Sequence, residues 1–167
     1  VRPGDSVWVN DKTTGTLTLH HVLPGRMLYL LATGTGLAPF MSLIRDPELY
    51  ARFERVVLVH SVRTVAELAY RDEIEALHNP RLHYVPTVTR EPFPTPERGG
   101  DLFRSGALSQ RLGLPAPDPE HDRVMICGNP AMTRELTRHL KDTGWTLTNH
   151  RGVGNFSTEV AFVVQHA

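Results

Sequence analysis

The chain contains 167 residues, and its 18 lysines and arginines balance 18 aspartates and glutamates. This length supports one complete domain and part of another, and the lack of net charge argues against nucleic acid or an anionic membrane surface as a partner. The apolar runs, such as residues 27–32 and 56–59, are far shorter than the roughly 20 residues that a membrane span requires. We therefore expect a soluble protein, and we expect it to be a monomer.

Cysteine and histidine usage indicates neither disulfides nor a metal site. The single cysteine, Cys127, cannot form an intramolecular disulfide, which is compatible with a cytoplasmic location. The nine histidines show no metal-ligand spacing, so we interpret them as surface or packing residues. The chain starts at Val1 without a signal-peptide pattern, and we expect it to begin within a longer protein.

The first 25 residues predict a β-hairpin. Residues 6–9 and 16–19 are rich in β-forming side chains and flank a turn at 11–15. A single hairpin is marginally stable in water, so we interpret this segment as the last piece of a β domain. Residues 22–26 then form a linker.

From Met27 onward, predicted strands alternate with predicted helices, which is typical of an α/β fold. We expect a five-stranded parallel sheet with helices on both faces. The predicted strands are residues 27–32, 55–60, 82–88, 123–127 and 145–148. The predicted helices are residues 37–44, 65–77, 106–112 and 130–141, with a short segment at 48–53, an exposed proline-rich loop at 90–100 and an extended tail at 159–163.

The segment after the first predicted strand has the composition of a phosphate-binding turn. Gly34 and Gly36 allow a sharp bend that brings backbone N–H groups close to an anion, and Pro39 suits the first turn of the following helix. Because Pro39 stands where the dinucleotide-binding fingerprint has its third glycine, an ordinary strand-to-helix loop is the alternative. The residues of the candidate pyrophosphate site are Thr33, Gly34, Thr35, Gly36, Leu37, Ala38 and Pro39.

Three arginines favour NADP(H) over NAD. Ligands of open α/β sheets lie at the carboxyl ends of the strands, where an NAD site usually presents a carboxylate to the ribose. Arg63 follows strand two instead, Arg90 follows strand three, and Arg98 lies in the adjacent loop. Guanidinium groups can bind a 2′-phosphate through two hydrogen bonds. The alternative for each arginine, and above all for Arg98, is a solvated surface position.

Strand four ends in a third candidate segment. Cys127 is interpreted as a thiol that packs against a nicotinamide ring, with core packing as the alternative. Gly128 would allow close approach of a flat ligand, and Asn129 and Pro130 are suited to the cap and first residue of the next helix. A nucleophilic role is not indicated for Cys127, since no paired histidine is implied.

With these residues established, the chain from residue 3 to 163 resembles the bacterial ferredoxin-NADP reductases of the flavodoxin-reductase type. The resemblance extends over seven segments in the same order. They are residues 12–17, 33–40, 59–63, 67–70, 87–91, 122–130 and 159–163.

The resemblance implies a two-domain enzyme in which a β-barrel holds FAD and an α/β domain binds NADP(H). In this family a hydride passes between nicotinamide and flavin, and electrons pass between flavin and ferredoxin or flavodoxin. Residues 1–25 would be the end of the FAD-binding barrel, and residues 26–167 would be the NADP-binding domain with a tail that faces the flavin.

The resemblance also implies roles for individual residues. Residues 35–39 would cradle the pyrophosphate, Arg63 and Arg90 would hold the 2′-phosphate with Arg98 as a third, and Cys127 and Gly128 would flank the nicotinamide. Ala161 and Phe162 would contact FAD, and Glu159 would take part in proton or electron transfer.

The family's arginine-tyrosine-serine motif, which seats the flavin ring, does not occur in this sequence, and neither do most of the barrel strands. We therefore expect the isolated chain to be inactive without its flavin domain. Two alternatives remain open at this stage, a non-catalytic NADP-binding module and the reductase component of an oxygenase.

Overall fold

A parallel sheet organises the structure. The computed structural model describes residues 2–8, 11, 15–149 and 151–161. Its five strands are β1 (Gly25–Thr33), β2 (Phe53–Val62), β3 (Leu82–Val88), β4 (Arg123–Gly128) and β5 (Phe156–Val160). They pair in the order β3-β2-β1-β4-β5, and every pair is parallel. The predicted α/β fold with a five-stranded parallel sheet is confirmed.

Six short to medium helices connect the strands. They are α1 (Ala38–Leu43), α2 (Pro47–Arg52), α3 (Arg71–Glu75), α4 (Gly99–Arg104), α5 (Ala107–Leu112) and α6 (Pro130–Asp142). Three 3-10 turns, Leu19–His21, Gly34–Leu37 and Val65–Glu67, complete the described elements. No helix in the described part of the chain is long and apolar enough to cross a membrane.

Strand β1 shows why both faces of the sheet are covered. Alternate residues point to opposite faces, and Leu28 and Leu30 pack with residues of α1, α2 and α3. Tyr29 and Leu31 pack on the other face with residues of α4, α5 and α6. All four side chains are buried, so a continuous apolar run, rather than an alternating one, is what a strand in this position requires.

The order of the strands creates one topological switch point. The chain runs outward from β1 through β2 to β3 and then returns to the other side of β1 to form β4 and β5. The connections that leave β1 and β4 therefore diverge to opposite faces, and a crevice opens above the carboxyl ends of these two strands.

The predicted fifth strand is wrong. Residues 145–148 form no strand, although Leu147 makes one isolated bridge to Phe156, and β5 lies eleven residues later than the prediction placed it, at Phe156–Val160. Phe156 is fully buried beneath α6 and pairs with Val124 of β4. This long-range pairing outweighs the local β propensity of the earlier segment.

The predicted hairpin is not found among the described residues either. Ser6–Trp8 and residues 16–19 contain no strand, while Val9 and residues 12–14 lie outside the described residues. Leu17, Leu19 and Val22 are buried against the core of the α/β domain, and Arg52 donates hydrogen bonds to the carbonyl oxygens of Leu19 and Val22. Residues 17–22 are thus held by tertiary contacts, with a 3-10 turn at Leu19–His21 and no strand.

Two helices also differ from their predictions. The region predicted as one helix at 65–77 is a 3-10 turn followed by the short helix α3, because Tyr70 between them adopts a left-handed conformation (φ +60°) that interrupts a helix. Helix α4 begins at Gly99, inside the predicted proline-rich loop.

A buried carboxylate stabilises the amino end of the sheet. Asp122, which is inaccessible to solvent, pairs with Arg26 at 2.8 Å and also accepts hydrogen bonds from the backbone N–H groups of Met27 and Asp118. Its carboxylate therefore joins β1 to the loop that enters β4.

We expect Asp122→Asn to lower the free energy of unfolding by roughly 3 kcal/mol, because it leaves a cation and two donors around a neutral amide. Urea denaturation measures the change. Glu73→Gln is the matched control, since it removes an exposed ion pair with Arg45 and should have no measurable effect. Equal midpoints for both variants would contradict this assignment.

Candidate functional site

A cleft of about 1060 Å³ opens above the carboxyl ends of the strands. It is bordered by the turn after β1, the segments that follow β2 and β3, the start of α4 and the start of α6. Nine of the residues singled out from the sequence line this cleft. They are Thr33, Gly34, Thr35, Leu37, Ala38, Arg63, Arg90, Arg98 and Asn129.

The two glycines of the turn are needed for different reasons. Gly34 has φ +51° and open space around its Cα, so its backbone conformation selects glycine. Gly36 would place a Cβ 2.1 Å from the carbonyl oxygen of Cys127. The turn therefore lies directly against the end of β4, and no side chain fits between them.

The junction between β1 and β4 is closed by hydrogen bonds. The hydroxyl oxygen of Thr33 accepts from the backbone N–H of Asn129 at 2.8 Å and from its side-chain amide at 3.2 Å. The amide oxygen of Asn129 in turn accepts from Met132 N–H at 2.9 Å and caps α6. A Cβ at Gly128 would lie 2.0 Å from the Thr33 hydroxyl, so packing inside the protein already requires glycine there.

Arg63 and Arg90 follow adjacent strands. The backbone N–H of Arg90 donates to the carbonyl oxygen of Arg63 at 2.9 Å, which continues the β2–β3 ladder beyond the strands. Both side chains line the cleft. The two arginines are therefore neighbours in the backbone and lie on the same side of the molecule as the glycine turn.

Acidic residues near these arginines bind backbone instead of guanidinium groups. Glu67 accepts from the N–H groups of Arg63 and Thr64, at 2.8 and 3.4 Å, and the hydrogen bond from Arg63 is the main reason that its pKa is lowered. Glu91 accepts from the N–H of Val65 at 2.7 Å. Both carboxylates thus stabilise the loop that carries Arg63.

The guanidinium groups of the cleft are available for a ligand. Within the described ranges, no residue accepts a hydrogen bond from the side chains of Arg63, Arg90 or Arg98, whereas Arg71 pairs with Glu75 at 2.8 Å and Arg111 pairs with Glu97. Three unpaired cations around one cleft form a site for a multiply charged anion.

Tyr70 is a cleft residue that the sequence analysis did not single out. It lines the cleft, the residue is 53% exposed, and its backbone is left-handed. A non-glycine residue at positive φ is uncommon and often marks a functional position. The only signal in the sequence was its place at the end of one of the matching segments.

Six of the singled-out residues do not line this cleft, and a seventh cannot be located. Gly36 and Pro39 lie in the turn and its helix, Cys127 and Gly128 end β4, and Glu159 and Ala161 belong to β5 and its continuation. Phe162 lies outside the described residues. Across the part of the chain that the structure covers, no group of three or more His, Cys, Asp or Glu is arranged to hold a metal ion.

Cys127 and Glu159 face each other in the register of β4 and β5. Burial, and then the negative charge of Glu159, raise the pKa of the Cys127 thiol to about 11. The thiol therefore keeps its proton at neutral pH, as packing against a ligand or the core requires. The Glu159 carboxylate accepts from the backbone N–H of Thr16 at 2.5 Å and so attaches the entry segment to the end of β5.

Comparisons with known proteins show the fold and the family of this chain. The family model described as the oxidoreductase NAD-binding domain matches residues 30–138. The ferredoxin-NADP reductases of Pseudomonas aeruginosa and Azotobacter vinelandii are 47% and 48% identical to this chain, in each case over 98% of this chain and 67% of the relative. A crystal structure of a ferredoxin NADP+ reductase from Neisseria gonorrhoeae with bound FAD and NADP superimposes with a TM-score of 0.81 at 35% identity, and covers 89% of this chain and 61% of that one.

The family model and the fold thus identify an NAD-binding domain of the oxidoreductase class. The chain belongs to the ferredoxin-NADP reductase family. It spans about two thirds of the length of the curated relatives it matches.

We expect Gly36→Ala to lower the free energy of unfolding by about 2 kcal/mol or more, because the added methyl group would collide with the end of β4. Thermal or urea denaturation measures the loss. Gly152→Ala is the control, since a Cβ there meets nothing within 4 Å and the residue does not have positive φ. A tolerated alanine at Gly36 would show that the turn and β4 are not in close contact.

The thiol of Cys127 should ionise only in alkaline solution. Its raised pKa predicts that thiolate absorbance develops with a midpoint near 11, whereas a free cysteine ionises at about 8.5. Glu159→Gln should move the midpoint to lower pH, because it removes the nearby negative charge. A midpoint near that of a free thiol, or one unmoved by Glu159→Gln, would contradict the assignment.

Proposed function

We propose that this chain supplies the NADP(H) site of a ferredoxin-NADP reductase, an FAD-dependent enzyme that transfers electrons between NADP(H) and ferredoxin or flavodoxin. The observation that carries the proposal is the grouping of Arg63, Arg90 and Arg98 around the cleft that also contains the glycine turn. A pyridine dinucleotide with a 2′-phosphate carries negative charge at two places, and this cleft presents a suitable partner for each.

The pyrophosphate would bind at the turn between β1 and α1, where Gly34 and Thr35 border the cleft. Backbone N–H groups at the start of a helix favour anions. The 2′-phosphate would bind at the carboxyl ends of β2 and β3, where Arg63 and Arg90 are neighbours. Tyr70, exposed beside these arginines, offers an aromatic face to the adenine.

The nicotinamide would extend from the turn toward the ends of β4 and β5. In this arrangement the protonated thiol of Cys127 and the backbone of Gly128 border the ring, and Thr33, Leu37, Ala38, Pro39 and Asn129 position the adjoining part of the ligand. Bound FAD supplies the chemistry that converts a hydride transfer into single-electron transfers. Ala161 and Phe162 would contact the flavin.

Glu159 links the entry segment of the chain to the end of β5. Its carboxylate is hydrogen bonded to the backbone of Thr16, and it lies across from Cys127 in the sheet. It would hold the segment that leads from the flavin domain onto the end of β5 and would accept or donate a proton there. We further propose a cytoplasmic location, with which the single buried cysteine accords.

Titration of the chain with 2′,5′-ADP and with 5′-AMP tests the proposed specificity. We expect tighter binding of 2′,5′-ADP, and we expect Arg63→Ala and Arg90→Ala each to weaken it by roughly 10-fold to 100-fold while changing 5′-AMP by less than about twofold. Isothermal titration calorimetry at fixed low ionic strength measures both ligands.

Arg55→Ala is the matched control, because Arg55 is an exposed arginine at the opposite end of β2. It should leave both affinities unchanged. Equal binding of the two ligands by the unaltered chain would eliminate the 2′-phosphate site and with it the assignment of NADP(H).

A further inference from the structure

The loop that carries Arg98 is hydrogen bonded to the sheet through the side chain of Ser61 on β2. The hydroxyl oxygen of Ser61 accepts a hydrogen bond from the backbone N–H of Gly99 at 3.0 Å. The same oxygen accepts from the hydroxyl of Thr87 on β3 at 2.8 Å. Both bonds are buried, so water does not readily replace either partner.

Gly99 lies directly on β2. A Cβ at this position would be 2.4 Å from a methyl carbon of Val59 and 2.5 Å from the Ser61 hydroxyl oxygen. The backbone of the first residue of α4 therefore packs directly against the side chains of Val59 and Ser61, and Arg98 immediately precedes it. The carbonyl oxygen of Arg98 accepts from Leu102 N–H at 3.0 Å, which joins the backbone of Arg98 to the helix.

The position of the Arg98 side chain depends on this backbone. No described residue accepts a hydrogen bond from its guanidinium group, in contrast to Arg104 on the same helix, which pairs with Asp101. A second hydrogen bond holds the loop, from the N–H of Val88 to the carbonyl oxygen of Thr95 at 3.1 Å. Between that point and α4, Glu97 forms an exposed ion pair with Arg111. The Ser61–Gly99 bond is the buried contact next to Arg98.

We propose that Ser61 is a positioning residue that determines selectivity for the 2′-phosphate, and that it acts by holding Gly99 so that Arg98 stands beside Arg63 and Arg90. This inference rests on the proposed function. Without the serine hydroxyl, the N–H of Gly99 would be buried without an acceptor, and the loop would move outward to reach water. Ligands that lack the 2′-phosphate make no use of Arg98 and would be unaffected.

A double-mutant cycle distinguishes this indirect role from direct contact, since Ser61 itself borders the cleft. We expect Ser61→Ala and Arg98→Ala each to weaken binding of 2′,5′-ADP by roughly fivefold to tenfold. The double variant should bind no more weakly than Arg98→Ala alone, because the serine acts through the arginine. All variants should bind 5′-AMP within about twofold of the unaltered chain.

Additive losses in the double variant, or equal losses for 5′-AMP, would overturn the inference. Ser157→Ala is the control, because Ser157 is a buried serine on β5 whose hydroxyl has no hydrogen-bond partner among the described residues. A comparable loss of selectivity in that variant would also overturn it.

A measurement on the unaltered chain makes the test independent of how well Ser61→Ala folds. Amide hydrogen exchange at Gly99 should slow more with saturating 2′,5′-ADP than with saturating 5′-AMP, because coupling between the ligand and the Ser61–Gly99 bond is reciprocal. Equal protection by both ligands, when 2′,5′-ADP still binds more tightly, overturns the role of Ser61 but leaves the proposed function standing. Loss of the preference for 2′,5′-ADP overturns the proposed function itself.

Discussion

The close contact between the turn after β1 and the end of β4 is the constraint on which the rest of the structure depends. Gly36 lies against the carbonyl of Cys127, and Gly128 lies against the hydroxyl of Thr33. Because both contacts are closer than any side chain would permit, the two strand ends and the helices that follow them diverge from nearly one point. The cleft is the space left by that divergence.

Acidic and basic side chains around this cleft have different partners. The carboxylates of Glu67 and Glu91 satisfy backbone donors in the loop after β2, which leaves the guanidinium groups of the cleft without an acidic partner in the described structure. An acid paired with Arg63 would neutralise the charge that an anionic ligand needs. The acids therefore stabilise the loop, and the arginines line the cleft.

The stretch that matches the family model is also the stretch that forms most of the cleft. The family model covers the end of β1 through most of α6, the stretch that contains the glycine turn, the three arginines and the cap of α6. The proposed flavin contacts of Ala161 and Phe162 lie outside this stretch. Phe162 lies outside the described residues, and Ala161 continues β5, where its N–H donates to the carbonyl oxygen of Gly128.

Several features were predictable because their physical causes are local. Strands β1, β2 and β4 are buried on both faces and so appear in the sequence as continuous apolar runs. The glycine turn and the Asn129 cap follow from backbone preferences of single residues. The arginines at the ends of β2 and β3 could be placed near one another because adjacent parallel strands end at the same edge of the sheet.

Other features were decided only by tertiary contacts. The choice of Phe156–Val160 over residues 145–148 as the fifth strand depends on burial of Phe156 beneath α6, and the start of α4 depends on a hydrogen bond to Ser61, which is 38 residues away in sequence. The sequence by itself determined the α/β class, the turn and the sign of the charges around it, because these arise from short-range preference and composition. Only the tertiary structure decided which side chains meet across the cleft, since the energy of those contacts depends on pairs of residues that no local pattern connects.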